Sequence, residues 1–530
     1  MNRTKDGWGP ENNPLVPGRR RRLAWAWRSE MGPGAKLRRN SGPGHRFLLN
    51  FGPHLRPGRI KKFFGNISFV VLLNLLVKPG WVVVENLVQD RLGHAVFGTF
   101  TALLNWTLIV ASVSDLGTTQ LTTKRMAANP EFLGEYFPTL LPLKGWLSVL
   151  FLGLMVGSGW LLGYRGHTLT LLALTGASLL VTQYTQFLRG TLQAHQRFNT
   201  DAVLSVLEKA LLLLFVLALL PVGITLDRYV GARSVAVLFT FVVLYALVTR
   251  LYGRVRFKLK WDHARGLLKA SLPLALITLV YGLNERVDML MLERLASPAE
   301  AGYYAAAYRW VDAIMMYLWT VLPLFFAKFA FVTGKREEQQ ELLWFGQRVV
   351  TVPLLFVCAF VLFRGEVLFW QFTHSTGPEL ARMTLSLKIL FVNVLVHAFF
   401  AIYSTLLTST NHEKPVSGLV AGSIGLNVVL NVLLLPRYGA VAAALNTLLC
   451  VVFVSGGYLW LVQRRAGVAI PWGTIARLLL AFGLLCAAFW GLRLWLNQWL
   501  LEAVGAGLAF VGILFGTGIL RVAELKALRR

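Results

Sequence analysis

Four basic side chains interrupt long apolar segments of this chain: Lys78, Arg286, Arg309 and Lys388. Two carboxylates, Asp288 and Asp312, lie close to two of them in the sequence. A charge at membrane depth costs on the order of 2.5 to 3.5 kcal/mol, so it usually faces a partner or a water-filled space. Arginine binds phosphate and carboxylate through paired hydrogen bonds, and lysine supplies a compact charge. If these side chains converge, they line a cationic cavity for an anionic ligand.

Lys78 lies where its helix is weakened. Pro79 and Gly80 follow it, a combination typical of the discontinuous helices of transporters. The alternative is a lysine whose ammonium group extends to the outer headgroups. The same two interpretations remain open for Lys388, which is shallower in its span.

The seventh and eighth apolar segments carry the densest polar groups. Residues 271–283 are too few to cross a bilayer, so Arg286 and Asp288 must lie in the outer part of the seventh span. Arg309 and Asp312 are one helical turn apart, about 12 to 17 Å inside the eighth span. Pairing within the helix that only neutralises both charges is the alternative interpretation for this second pair.

Other polar positions suggest local roles. Asp115 is interpreted as a residue that caps or bends the second span, and Glu208 with Lys209 as a local ion pair. Cys358, Cys450 and Cys486 all lie in apolar segments, which favours buried packing over disulfides or metal ligation. We find no Asp-x-Asp pair, phosphate-binding Gly-rich loop, His-Glu-x-x-His motif or catalytic triad. The sequence therefore predicts no enzyme, metal site or cofactor, with coupling to H⁺ or Na⁺ left open.

The composition identifies lipid as the solvent. Of 530 residues, 55% are hydrophobic and only 15% are charged, and the mean hydropathy is +0.57, more apolar surface than a soluble domain can bury. The formal net charge of +28 does not indicate a nucleic-acid partner, because the basic residues alternate with apolar segments of about twenty residues. We expect an all-α polytopic membrane protein in the lipid bilayer.

Fourteen apolar segments are long enough to span a bilayer. They cover residues 63–84, 97–121, 139–164, 168–188, 202–221, 229–249, 271–292, 302–326, 343–363, 382–407, 416–436, 440–462, 474–493 and 499–520. The predicted domains are a first six-helix bundle at 63–250, a basic cytoplasmic linker at 251–270, a second bundle at 271–462, and two extra helices with a basic tail at 463–530. Residues 1–62 are Gly-, Pro- and Arg-rich, which predicts a disordered basic cytoplasmic tail, or an over-extended translation start with Met31 as the initiator.

The charges of the connections predict the orientation. With a cytoplasmic amino terminus, the basic clusters fall in inner loops and single arginines in outer ones, as the positive-inside rule requires. Both termini are therefore predicted to be cytoplasmic. An internal repeat supports the same topology: the segment from Arg91 to Trp106 aligns with that from Arg294 to Trp310. Both enter an even-numbered helix from the outside, which predicts parallel halves related by an axis along the membrane normal.

Three motifs together resemble bacterial polysaccharide and oligosaccharide flippases, the polysaccharide transporter family of the multidrug/oligosaccharidyl-lipid/polysaccharide exporter superfamily. The first runs from Asn74 to Trp81 and continues through the Phe97-Gly98 turn to Ser114-Asp115-Leu116-Gly117. The second runs from Asp288 to Arg309, and the third from Asn427 through Pro436-Arg437-Tyr438-Gly439 to Ala444. The resemblance covers residues 60–525, without the amino-terminal tail, and Ala442 stands where the superfamily often has another glycine.

The resemblance implies a V-shaped pair of six-helix bundles in the bacterial inner membrane that works by alternating access. The implied cargo is a polyprenyl-diphosphate-linked oligosaccharide, such as an O-antigen, capsule or exopolysaccharide repeat unit, and the polysaccharide polymerase machinery is an implied partner. Lys78 and Arg309 match positions where the family tends to have functional polar groups.

Alternative functions remain at this point. A lipid II flippase is chemically similar, and a multidrug exporter shares the superfamily fold but handles mostly cationic compounds, which fits a cationic cavity poorly. A polysaccharide polymerase or ligase usually needs a large outer loop, whereas the longest one predicted here covers only residues 364–381. A major-facilitator sugar porter would have about twelve helices and a charged signature after the second one.

Overall fold

The computed structural model describes residues 80–116, 118, 122, 132–194, 197–252, 264–266, 268, 271, 282–283, 286–410 and 412–520. All regular secondary structure in these ranges is helical. Lys78, the tail 1–62 and most of the linker 251–270 lie outside the described residues, so the predictions made for them stay predictions.

The first bundle contains six described helices. They are α1 (80–92), α2 (His94–Asp115), α3 (Phe132–Leu161), α4 (Gly166–Ala194), α5 (Phe198–Leu219) and α6 (Leu226–Tyr252). Gly93 separates α1 from α2 with a φ of 83°, a conformation that L side chains rarely adopt. The 22 residues of α5 rise about 33 Å, enough to cross the hydrocarbon core of a bilayer.

The second bundle and the carboxyl-terminal pair follow. Their helices are α7 (286–295), α8 (Pro298–Phe331), α9 (Arg336–Arg364), α10 (Gly377–Ser409), α11 and α12 (together Glu413–Leu461), α13 (Trp472–Trp495) and α14 (Trp499–Gly516). Ser297 caps α8 by accepting a hydrogen bond from the Glu300 amide at 3.2 Å, and Pro298 occupies its first turn. Both features are typical helix starts.

Glu413–Leu461 is a helical hairpin that reverses at Gly439. Gly439 has non-helical angles, φ 54° and ψ −132°. Asn446 Nδ2 donates to Asn431 Oδ1 at 2.9 Å, although fifteen residues of straight helix would separate them by about 22 Å. A Cβ at Gly439 would overlap the Glu300 carboxylate, so only glycine fits. The predicted turn between spans 11 and 12 is therefore located at this residue.

Eleven described helices are long and apolar enough to cross a membrane. One of them, Glu413–Arg465, includes the hairpin and so crosses twice. The predicted first and seventh spans, 63–84 and 271–292, lie largely outside the described residues, and α1 and α7 are their described continuations. The chain is thus an all-helical, multi-pass membrane protein, whereas the total of fourteen spans stays a prediction.

The carboxyl-terminal pair packs on the second bundle. Phe489 of α13 and Phe510 of α14 both contact Phe356 of α9, with ring centroids 5.9 Å apart in each case. Glu502 of α14 is fully buried and binds Arg364, whose Nε donates to it at 2.7 Å. Trp490 and Trp495 of α13 remain exposed, as expected of a surface in contact with lipid.

Candidate functional site

The two bundles meet where α2 crosses α8. A Cβ at Gly98 would overlap the backbone of Pro298 and Gly302, and a Cβ at Gly302 would overlap the backbone of His94. In the repeat alignment Gly98 matches Gly302, and His94 matches Pro298. Each contact is therefore repeated with its partners exchanged, which is the pattern of an interface around a two-fold axis. We call this end of the bundles, where α2 and α8 begin, the sealed end.

Arg309 of α8 is held by three side chains of α1. Its Nη1 donates to Asn86 Oδ1 at 2.5 Å, its Nη2 to Gln89 Oε1 at 2.7 Å, and its Nε lies 3.2 Å from Glu85 Oε2. The guanidinium also stacks over Phe97, 4.4 Å from the ring centroid. Because the Arg309 side chain is only 10% exposed, the second bundle inserts its charge into the first.

Glu85 shares its charge with a second arginine. Arg233 Nη1 of α6 lies 3.6 Å from Glu85 Oε1 and makes no hydrogen bond within the described part of the chain. The buried Nδ2 of Asn86 is likewise without a described partner. Lys209 of α5 lies over Trp81 at 4.4 Å, which adds a second cation on the first-bundle side.

Arg286 of α7 makes the reciprocal contact. Its Nη1 donates to Asn105 Oδ1 of α2 at 3.0 Å, and Asn105 matches Arg309 in the repeat alignment. The interface therefore brings together two of the predicted cationic residues, Arg286 and Arg309, although each binds a different helix of the first bundle.

Beyond Arg309, the described side-chain contacts of α2 and α8 lie within their own bundles. Asp312, one turn further along α8, is exposed. At its far end, α2 bonds within its own bundle: Ser114 donates to Gln183 of α4, and Asp115 pairs with Lys144 of α3 at 2.6 Å. Tyr317 of α8 likewise donates to Val349 of α9 in its own bundle at 2.6 Å. Asp115, predicted to cap or bend its helix, thus also holds α3.

Asp288 lies in a buried polar network of the second bundle. It accepts hydrogen bonds from Asn431 Nδ2 at 2.7 Å and from Thr447 Oγ1 at 3.2 Å. Asn431 Nδ2 also donates to Asn427 Oδ1 at 2.9 Å. These partners are all neutral and belong to α11 and α12, so the described hydrogen bonds of Asp288 tie α7 to the hairpin rather than to the first bundle.

Lys388 lies apart from the interface. Its Nζ is 3.9 Å from Glu366 Oε2, in the short 3₁₀ helix Gly365–Phe369 that follows α9. The described ion pair of Lys388 thus lies within the second bundle, and Lys78 lies outside the described residues. Arg286 and Arg309 thus lie at the interface between the bundles, and one cavity lined by all six residues stays a prediction.

Sequence reasoning missed the first-bundle partners of Arg309. Glu85, Asn86 and Gln89 follow the predicted end of the first span at residue 84, so they counted as loop residues. Asn86 and Gln89 follow Glu85 by one and four residues, so in a helix all three lie on the same side. This spacing was the signal that could have revealed them. The sequence places Arg233 near the outer end of the sixth span, but its proximity to Glu85, 3.6 Å away, was not predicted.

The fold and the site define a class: a two-bundle membrane transporter with a polar, arginine-centred interface between its bundles. Residues 63–325 match the polysaccharide biosynthesis protein family. The chain belongs to that family, and its fold is that of the MOP superfamily. No curated protein matches it by sequence.

Several solved structures share the fold. One is lipid II flippase MurJ in an inward closed conformation, with a TM-score of 0.67, 12% identity, and coverage of 86% of this chain and 99% of that one. Another is an inward-facing multidrug resistance transporter of the MATE family, at TM-score 0.60 and 15% identity, covering 74% and 98%. A third, a MOP transporter from Pyrococcus furiosus described by a reverse polarity of its binding pocket, has a TM-score of 0.56 at 16% identity and covers 76% and 95%.

The comparisons confirm the predicted family and the predicted class of membrane transporter in polysaccharide biosynthesis. At these identities the solved structures establish the fold alone, and they assign neither the cargo nor the direction of transport.

Proposed function

We propose that this chain is a flippase that moves a polyprenyl-diphosphate-linked oligosaccharide from the inner to the outer leaflet of a bacterial inner membrane by alternating access. The observation that carries this proposal is Arg309, a guanidinium between the bundles whose bonds cross from one bundle to the other. Family membership supplies the polysaccharide context.

The chemistry of the interface favours an anionic headgroup. Arg309, Arg286 and Arg233 provide planar donors that match phosphate oxygens. Two buried donors beside Arg309, Asn86 Nδ2 and Arg233 Nη1, make no described hydrogen bond. Buried donors without acceptors are destabilising, and the oxygens of a diphosphate would satisfy them.

The geometry supports alternating access. The described side-chain contacts of α2 and α8 cross between the bundles at the sealed end and stay within each bundle further along. By the charge distribution of the loops, the sealed end is the outer one and both termini are cytoplasmic. Cargo then enters from the cytoplasmic side and contacts Arg309 at the apex of the opening, and transport requires the α1–α8 contacts to break.

Asp288 offers a place for a coupling ion. A buried carboxylate surrounded by amide and hydroxyl groups can be neutralised by a proton or by Na⁺, which prefers oxygen ligands. Because the network joins α7 to the hairpin, occupancy would alter how α7 presents Arg286 to the first bundle. Coupling through Asp288 is therefore part of the proposal.

A lipid II flippase is the second candidate, favoured by the structural likeness to MurJ and by the same diphosphate chemistry. A multidrug exporter would need anionic groups for mostly cationic drugs, and three arginines at the interface oppose it. A polysaccharide polymerase machinery is the proposed partner, because it would use the delivered repeat units.

The test is translocation of a fluorescent polyprenyl-diphosphate oligosaccharide in proteoliposomes. Arg309→Ala should abolish it, since the guanidinium that bridges the two bundles is lost, and Arg309→Lys should retain a fraction through its charge. Arg228→Ala is the matched control, because Arg228 is exposed and bonds only loop carbonyls in the described structure. Normal translocation by Arg309→Ala, or chemical conversion of the cargo by the wild type, would overturn the proposal, and preference for lipid II would favour the second candidate.

A further inference from the structure

A short segment of the second bundle, residues 372–376, closes over the sealed end; we call it the latch segment. Asp90 of α1 accepts hydrogen bonds from His374 N at 3.0 Å, from His374 Nδ1 at 2.7 Å and from Thr373 Oγ1 at 3.1 Å. Ser375 Oγ lies 2.8 Å from Nε2 of His94. His94 is buried at the start of α2, so the latch segment joins both first-bundle helices that form the interface.

The amide of Gln89 has a single possible orientation. One end lies 2.7 Å from Arg309 Nη2, which can only donate, so that end must be the oxygen. The other end lies 2.8 Å from the Gly302 carbonyl oxygen, which can only accept, so that end must be the NH₂ group. Rotating the amide by 180° would put donor against donor and acceptor against acceptor.

The fixed amide determines the protonation state of His94. Gln89 Nε2 lies 2.9 Å from His94 Nδ1, and since the amide nitrogen donates, Nδ1 must accept. A histidine with a lone pair on Nδ1 is neutral and carries its hydrogen on Nε2. That hydrogen is then donated to Ser375 Oγ. The sealed end is therefore compatible only with neutral His94, because a protonated ring would direct an N–H at the amide N–H.

The charged groups around His94 come from every neighbouring element. Burial opposes a positive imidazole, Glu379 of α10 and Asp90 of α1 favour one, and Arg309 of α8 opposes it. His374 in the latch segment is engaged with Asp90. Tyr303 of α8 and Phe372 pack on the ring, with centroids at 4.9 and 5.4 Å. Tyr303 in turn donates to Glu379 at 2.9 Å. Protonation of the ring would break the hydrogen bond that the interface requires.

We propose that His94 and Gln89 form a proton-sensitive switch. Protonation of His94 breaks the Gln89–His94 bond, weakens the attachment of α1 to Gly302 and Arg309, and opens the sealed end. The switch is independent of the cargo and of its identity. Opening of the sealed end, and so release of a cargo there, would be more favourable when the compartment on that side of the membrane is acidic.

The other histidine should respond in the opposite direction. A protonated His374 would pair more strongly with Asp90, because the pair would then carry opposite charges. Acid should thus tighten the Asp90–His374 contact while it breaks the Gln89–His94 contact. This difference separates the proposal from a general effect of acid on the interface.

The test is the distance between spin labels at Val96→Cys on the first bundle and Ala381→Cys on the second, both exposed positions, in the full chain in nanodiscs with the native cysteines replaced. Measurements without cargo at about pH 7.5 and about pH 5.5 bracket the ordinary histidine pKa. The open-to-closed ratio should rise on acidification, by up to about tenfold per pH unit for one linked proton.

Two variants and one control decide the outcome. His94→Gln should hold the same distribution at both pH values, and His374→Gln should keep the acid opening. Gln89→Glu should lose the bond to Gly302 at both pH values, but acid should now favour the sealed state, since a carboxylate accepts from a protonated His94; this variant also serves as the test if His94→Gln does not fold. An acid opening that persists in His94→Gln, one that disappears only in His374→Gln, or no opening in the wild type would each overturn the proposal.

Discussion

Gly98 and Gly302 hold matching positions in the two halves of the chain, and each lies against the backbone of the other's helix. A Cβ on Gly98 would overlap the Pro298 carbonyl oxygen, and one on Gly302 would overlap that of His94. Backbone atoms at a helix crossing cannot move aside as a flexible side chain can. The sealed conformation therefore requires glycine at both positions, because a side chain at either one would overlap the backbone of the other helix.

Gly98→Ala should destabilise the sealed conformation relative to the open one. Overpacking typically destabilises a packed interface by about 1–3 kcal/mol. The open conformation is not affected, because its bundles are apart. The spin-label distance between Val96→Cys and Ala381→Cys should lengthen. Gly153→Ala is the matched control, since no atom outside its own helix lies within 4 Å of the added Cβ. Unchanged distances in Gly98→Ala would show that the crossing does not hold the bundles together.

Asp288→Asn should uncouple transport from its ion while the protein still folds. The amide keeps most of the hydrogen-bonding capacity but loses the charge that a proton or Na⁺ would neutralise. Translocation in proteoliposomes, measured with and without a pH or Na⁺ gradient, should lose its dependence on the gradient. Asp227→Asn is the control, because Asp227 is exposed and pairs with the exposed His167. A gradient response that survives in Asp288→Asn assigns coupling to another site.

Removing either member of the Arg364–Glu502 pair should detach α14. Glu502 is fully buried and the Arg364 side chain is 17% exposed. Truncating one therefore leaves the other as an uncompensated charge, which lowers the free energy of unfolding by about 3–5 kcal/mol. Glu502→Ala and Arg364→Ala should each lower stability in detergent by that order, and the double variant by less than the sum. The exposed Lys335–Glu338 pair supplies the control, where Lys335→Ala should change stability by about 1 kcal/mol or less. Additive effects would exclude a direct interaction.

Asp90 should support the sealed end over the whole physiological pH range. Burial raises the pKa of Asp90, but the hydrogen bonds from His374 and Thr373 outweigh it and hold the pKa below its ordinary value. A carboxyl group with a lowered pKa stabilises the folded contact above its unfolded pKa, near 3.9, and loses that contribution only as the pH falls through the lowered value. Asp90→Ala should therefore open the sealed end already at neutral pH, as measured by the same spin labels. If it opens only in acid, the Asp90 contacts do not hold the latch segment.

The sequence predicted the helical scaffold because apolar length and turn chemistry are local properties. The Pro436-Arg437-Tyr438-Gly439 motif located the hairpin, since one glycine at positive φ suffices to reverse the chain. The depth of Arg309 and the match of Gly98 with Gly302 followed from spacing alone.

The partners of these residues could not be predicted in the same way. Asn431 and Thr447 are more than 140 residues from Asp288 in the sequence, and only the packing of the hairpin on α7 brings them within hydrogen-bonding distance. Glu85 was missed because α1 continues past the last strongly apolar residue of its span. Lys388 shows the converse: it was grouped with Arg309 as a cationic residue of an apolar span, but a neighbouring Glu366 engages it within its own bundle.

The proposed transport of a lipid-linked oligosaccharide across the bilayer is tested most directly by measuring in which leaflet that lipid accumulates. In cells that lack the chain, the lipid-linked intermediate should build up intact on the cytosolic leaflet, and wild type but not Arg309→Ala should restore its passage. An intermediate that still reaches the outer leaflet without the chain, or that accumulates there unpolymerised, would contradict the account.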